Sequence, residues 1–253
     1  MKAHINEKLK ETEAKYGIRI LFACETGSRA WGFPSPDSDY DIRMVYCHEP
    51  DWYLTLSEKK DSIELMDGDL DLTGWDLRKS LRLMCKSNAA FLERVQSPIV
   101  YLQEEGMQEL LHSDAAMYYA PVAVMHHYLG LVKNSFSEVE DRAEIKLKKL
   151  FYAWRSVLAC KWIRQMHTAP PMQFHLLLEN EFLDNDIRAK ADELVALKSR
   201  MSEGYIHPQE KDLCAFIREE LDLASEVAPT LKGRSKEVAD PDELFRKILF
   251  NKL

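Results

Sequence analysis

The chain has 253 residues, of which 46% are hydrophobic and 30% charged, with a formal net charge of −8. This is globular composition with room for one large domain or two ordinary ones, and it excludes a disordered chain. The acidic balance argues against a dedicated duplex nucleic-acid binder, and no apolar run is long enough for a membrane span.

The start, MKAHINEKLKETEAKYG, is studded with charge and has no secretory apolar core. Five scattered cysteines (Cys24, Cys47, Cys85, Cys160, Cys214) include no C-x-x-C pair, which argues against a zinc site or a disulfide framework. A reducing, cytoplasmic setting is expected.

In chain order, His4 to Tyr16 reads as a charged helix closed by Gly17 at C′. Ile18 to Cys24 is a nearly continuous apolar run, the mark of a buried central strand. After Glu25 to Phe33, residues 34–38 read as a loop by composition, and Asp39 to Tyr46 alternates as a strand, with Asp39, Asp41, Arg43 and Val45 on one face. Residues 62–66 and 69–73 read as a hairpin turning at Asp67-Gly68, ended by Gly74 and followed by a helix from Trp75 to Lys86. Strand character is expected to stop after Pro98. Beyond it the spacing predicts helices at 115–134, 142–166, 173–183, 186–201, 208–227 and 241–251, the last with Asp240 as N-cap and Pro241 in the first turn. The expected architecture is α+β: a small mixed-sheet domain over 1–110 and an all-helical domain over 111–253.

Three features of the first half point to chemistry. Gly27-Ser28 directly follows the buried strand, Asp39-x-Asp41 opens the next one, and a further carboxylate, Asp71 or Asp69, lies on a later strand. Period two puts Asp39 and Asp41 on one face, where their oxygens can converge on hard divalent cations. With a third carboxylate this makes a two-metal arrangement, in which one ion activates an attacking hydroxyl and the other holds a triphosphate. Gly27 would let a phosphate oxygen approach the backbone and Ser28 would hold it. Three carboxylates on one face repel each other without a cation, so their conjunction is easier to explain with metal than without.

Gly27-Ser28 with Asp39-Tyr40-Asp41 resembles the hallmark of the DNA polymerase β-like nucleotidyltransferase superfamily. Longer strings resemble one subgroup, the RNA repair pathway DNA polymerase β family of predicted nucleotidyltransferases. They are Gly27-Ser28-Arg29-Ala30-Trp31-Gly32-Phe33, Ser38-Asp39-Tyr40-Asp41-Ile42-Arg43 and Asp71-Leu72-Thr73-Gly74-Trp75-Asp76-Leu77-Arg78-Lys79. The similarity extends to Ser97-Pro98-Ile99-Val100-Tyr101 and the Lys149-to-Trp162 helix. The resemblance implies Asp39, Asp41 and Asp71 as catalytic metal ligands for Mg2+ or Mn2+, and Gly27, Ser28 and Arg29 as contacts to a nucleoside triphosphate donor. It implies transfer of a nucleoside monophosphate with release of pyrophosphate. The acceptor stays open among RNA ends, a small molecule and a protein side chain, with no membrane partner. The alternative is an idle binding or antitoxin-like module on the same fold, which would be free to lose an aspartate.

Residues 142–164 hold seven basic residues against one acid. Leu147, Leu150, Phe151, Trp154, Leu158 and Trp162 form the expected buried stripe of this helix. Lys148, Tyr152 and Arg155 share a neighbouring face, and Lys148, Lys149 and Arg155 are candidate cations for the triphosphate. His126-His127 reads as structural, and Trp31 and Phe33 as packing residues.

Overall fold

The apolar run after Gly17 forms β1 (Arg19–Glu25), whose last six residues are buried. It is the second strand from one edge of a five-stranded sheet, seen in a computed structural model that describes residues 1–179, 183–233 and 240–251. The other strands are β2 (Tyr40–Cys47), β3 (Ser62–Asp67), β4 (Leu70–Asp76) and β5 (Val100–Gln103), in the order β3-β4-β2-β1-β5. β2 and β4 run parallel, and every other pairing is antiparallel.

Helix α1 (Lys2–Tyr16) ends as expected at a left-handed Gly17. Its Ile5 and Leu9 pack on the sheet face carrying Ile42, Met44, Tyr46, Leu70 and Leu72. The chain also forms α2 (Gly27–Trp31), α3 (Pro50–Tyr53), α4 (Leu77–Cys85), α5 (Ala89–Val95) and α6 (Met107–Met117). On the opposite face, α5 reaches Cys24 and Trp75: Cys24 Sγ donates to the Arg94 carbonyl, and the Arg94 guanidinium stacks on the Trp75 ring.

Several boundaries differ from the sequence reading, each for a local reason. The β3–β4 turn is Gly68-Asp69, because Asp67 pairs with Leu70. Gly74 does not end β4. It pairs with Met44 inside the sheet, where an added Cβ would lie 2.5 Å from Met44 Cε, so glycine is there for close packing. The following helix therefore begins at Leu77. Asp76 is its N-cap, accepting from Arg78 N (2.9 Å) while its other oxygen accepts from the Tyr53 hydroxyl (2.6 Å). Strand character returns after Pro98 in β5, a four-residue edge strand too short to show a period. The short α2, α5 and α6 lie where no helix was expected.

The chain divides into two compact units. The first holds Met1–Ala30, Asp39–Tyr118 and Ser235–Leu253; the second holds Trp31–Ser38 and Tyr119–Arg234. Residue 110, the expected boundary, falls inside α6.

The second unit is built on α7 (Pro121–Phe136), α8 (Leu147–Met166), α9 (Phe174–Leu178), α10 (Asn185–Lys198) and α11 (Lys211–Val227). α8 is its centre, packed by α7, α9 and α11. Residues 142–146 are not helical as expected: β6 (Glu144–Lys146) pairs with β7 (Ile206–Pro208). Of the helix expected at 173–183, residues 180–182 lie outside the described residues. The final helix α12 (Pro241–Leu249) is capped by Asp240 as expected, and it packs on α4 in the first unit.

Candidate active site

β1 ends at Glu25, fully buried, and the chain turns through Thr26 and Gly27 into α2. This turn is fastened to the start of β2. Thr26 N and Oγ1 both donate to the Asp41 carbonyl (2.8 and 3.1 Å), and Asp41 N donates to Glu25 Oε1 (2.6 Å). The second Glu25 oxygen accepts from the Tyr101 hydroxyl on β5, and Ser97 Oγ donates to the Glu25 carbonyl (2.6 Å). Burial pushes the Glu25 carboxyl above its ordinary value, opposed by the Tyr101 and Asp41 hydrogen bonds. Asp41 is thus held at both backbone polar groups, by Glu25 at the end of β1 and by Thr26 in the turn after it.

The Asp41 carboxylate lies against Gly27. An ideal Cβ on Gly27 would stand 2.1 Å from Asp41 Oδ2, and Gly27 has a φ of +60°. Glycine is required here twice, for its backbone and for its missing side chain. The space that the sequence reading gives to a phosphate oxygen is filled by the protein's own carboxylate. Ser28 is buried at the second position of α2.

Parallel pairing of β2 with β4 sets Asp41 directly opposite Asp71. One nitrogen of Arg43, Nη2, donates to Asp41 Oδ1 at 2.9 Å and to Asp71 Oδ2 at 2.8 Å. Its Nη1 donates to the backbone carbonyls of Ile42 (3.1 Å) and Asp71 (2.8 Å). Asp39 is exposed just before β2; its carbonyl accepts from Arg29 Nε at 3.0 Å, and the Arg29 guanidinium lies 3.8 Å from the Tyr40 ring centre. Asp69 sits exposed in the β3–β4 turn, off the strand, with its carbonyl accepting from Tyr40 N (2.8 Å). Of the two candidates for third carboxylate, Asp71 is the one brought beside Asp41.

Among the described residues, no three His, Cys, Asp or Glu side chains converge as a ready metal cluster. The expected trio is a close pair, Asp41 and Asp71, with Arg43 between them and Asp39 exposed nearby in sequence. The donor chemistry nonetheless fits a hard cation: two carboxylates in register, about a third exposed, already share one positive charge.

The other basic candidates belong to the second unit, where each has a partner. Lys148 pairs with Glu203, and Lys149 pairs with Glu138 at 2.6 Å. Arg155 is 2% exposed, donates through Nε and Nη2 to the Met172 carbonyl (3.1 and 2.9 Å), and stacks 4.4 Å from the Trp31 ring centre. α8 is buried on nearly every side, and Arg155, a candidate cation for the triphosphate, lies inside this packing. Phe33 is buried between Phe151 and Phe174, the packing role expected of it. The segment preceding Asp39 is tied down in the same unit: Ser38 Oγ donates to Glu203 (2.7 Å), and Lys198 Nζ to Ser35 Oγ (2.9 Å).

The sequence reading missed Glu25, Tyr101 and the bridging role of Arg43. For Arg43 a signal was present, since period two puts it on the face of Asp39 and Asp41. A glutamate closing an otherwise apolar strand was the corresponding signal for Glu25.

A model of the RNA repair pathway DNA polymerase beta family matches residues 1–247. The uncharacterized protein YcgL of Bacillus subtilis is 37% identical over 250 residues, which covers 98% of this chain and 95% of that protein. The uncharacterized protein MJ0002 of Methanocaldococcus jannaschii is 27% identical over 140 residues, 54% of this chain and 56% of its own. The crystal structure of a nucleotidyltransferase-like protein from Exiguobacterium sibiricum aligns over 88% of this chain and 76% of that one, with 13% identity and a TM-score of 0.32.

Proposed function

The chain belongs to the RNA repair pathway DNA polymerase beta family, and we propose that it is a metal-dependent nucleotidyltransferase. It moves a nucleoside monophosphate from a nucleoside triphosphate to a hydroxyl or phosphate acceptor and releases pyrophosphate. One observation carries the reading: Asp41, locked against the Gly27 turn, stands in register with Asp71 and shares a cation with it.

Mg2+ or Mn2+ held by Asp39, Asp41 and Asp71 would polarise the phosphates and favour the ionised acceptor hydroxyl. The chain's own residues set the stage for this. Glu25 and Thr26 fix the Asp41 backbone, so its carboxylate is preorganised. Ser28 and Arg29, in α2 just after β1, would contact the triphosphate. In the transfer the acceptor oxygen attacks the α-phosphorus, the bond to the pyrophosphate oxygen breaks, and the acceptor's proton passes to Asp71.

Among the described residues no helix is long and apolar enough to cross a membrane, and all five cysteines are free, in keeping with a reducing cytoplasmic compartment. The acceptor classes are RNA ends, a small molecule or a protein side chain. The test is to incubate the protein with each α-labelled nucleoside triphosphate and Mg2+, alone, with pooled RNA, and with a small-molecule extract. Label should move to one acceptor pool and be lost on Asp71→Asn. Absence of transfer with every triphosphate and pool would overturn the reading.

A further inference from the structure

We infer that Arg43 is a built-in counter-cation of the acid pair, which a divalent ion must displace before the site can load. The inference rests on the metal reading above and concerns what opposes that metal. A single guanidinium nitrogen lies within hydrogen-bond distance of both carboxylates, so it occupies the position a cation shared by Asp41 and Asp71 would take. The Arg43 side chain is only 18% exposed, so solvent screens its charge weakly.

Two consequences follow. Without metal, two carboxylates in register would repel each other, and Arg43 cancels one of the two charges and keeps the pair together. With metal, an ion bound by both carboxylates would sit within a few ångströms of the guanidinium, and two positive charges at that spacing oppose each other strongly. Nη2 must then give up both carboxylates. Nη1 need not move far, because it is anchored on the Ile42 and Asp71 carbonyls, so the displaced side chain keeps a foothold on the sheet. Arg43 therefore sets the metal concentration at which the site fills and keeps the acid pair ordered below it.

The test is direct Mn2+ binding to the nucleotide-free full chain, read from the electron paramagnetic resonance of free Mn2+, alongside melting temperature in EDTA and in Mg2+. Arg43→Gln should bind Mn2+ about tenfold more tightly or better, since an opposing charge has left. The variant should also melt at a lower temperature in EDTA and show a larger rise on adding Mg2+ than the parent does. Arg43→Lys, which keeps the charge but cannot bridge both carboxylates as a planar fork, should fall between the two and guards against a misfolded Gln variant. The gain should vanish in Arg43→Gln/Asp71→Asn. Unchanged or weaker Mn2+ binding by a folded Arg43→Gln, with the parent binding normally, overturns the inference and leaves the metal reading intact. If neither the parent nor the variant binds Mn2+, both fall together.

Discussion

Replacing Gly27 by alanine isolates the contact on which the site is built. The substitution does two things at once. It forces a side chain into a backbone with φ of +60°, at roughly 1–2 kcal/mol for an L-residue. It also puts a methyl carbon 2.1 Å from Asp41 Oδ2 and 3.0 Å from Asp41 Cγ, where ordinary contact begins at 3.4 Å. The Asp41 backbone cannot yield easily, because Glu25 and Thr26 hold its N–H and carbonyl. The carboxylate must therefore swing away by more than about 1 Å, and a misplacement of that size costs about 100-fold in rate. Gly68→Ala is the internal control: φ there is +58° with nothing within 4 Å, so it carries the strain without the collision. Thermal melts and Mg2+-dependent label transfer should show both variants destabilised, about equally through backbone strain, and only Gly27→Ala losing transfer and its Mg2+-induced stabilisation. Normal transfer by Gly27→Ala would refute the placement of the Asp41 carboxylate.

Three further outcomes are expected. Asp71→Asn should bind the triphosphate nearly as the parent does yet lose the transfer step, whereas Asp69→Asn, in the exposed turn, should change little; steady-state kinetics that reverse this ranking would move the role to Asp69. Asp76 is 1% exposed and burial raises its carboxyl above the ordinary 3.8. The folded state thus holds its proton to higher pH than the unfolded chain, so its contribution is fully present below 3.8 and is lost as pH rises through the folded pKa. Asp76→Asn keeps a capping side chain and removes the buried charge, so its melting temperature should fall less than the parent's between pH 4 and neutrality, and parallel curves would contradict the assignment. Arg155→Ala leaves the Met172 carbonyl without its buried donor and should cost the fold about 3 kcal/mol in a denaturant titration; an unchanged midpoint would show that the burial of Arg155 is not structural.

The central sheet was legible because its strands carry the two patterns that a sequence displays well. β1 is a nearly continuous apolar run and the start of β2 alternates, so the Gly-Ser turn and the Asp-x-Asp opening could be placed at adjoining strand ends. β5 was not legible. Four half-exposed residues on a sheet edge offer no periodicity, yet Tyr101 on that strand holds Glu25 and so bears on the site. Gly74 misled for a physical reason, since glycine marks both a strand's end and a place where a neighbouring side chain comes close, and only the Met44 contact distinguishes them. Period two put Asp41 and Arg43 on one face of β2, with Asp39 falling just before the strand, but which carboxylates meet depends on the parallel register with β4, a long-range property that no local pattern encodes. Arg155 shows the same limit. Helical spacing gave its face, and only the packing of α8 at the centre of its unit revealed that this face is buried.

On the proposed function, Asp41 and Asp71 control transfer of the α-phosphoryl group with its nucleoside. The most direct measurement compares the fate of α-labelled and γ-labelled nucleoside triphosphate, with Mg2+ and the pooled acceptors, in the parent and in Asp41→Asn. The α label should join an acceptor while the γ label leaves as pyrophosphate, and both events should disappear in the variant. Release of γ label as inorganic phosphate with no α label transferred, or an Asp41→Asn protein as active as its parent, would contradict it.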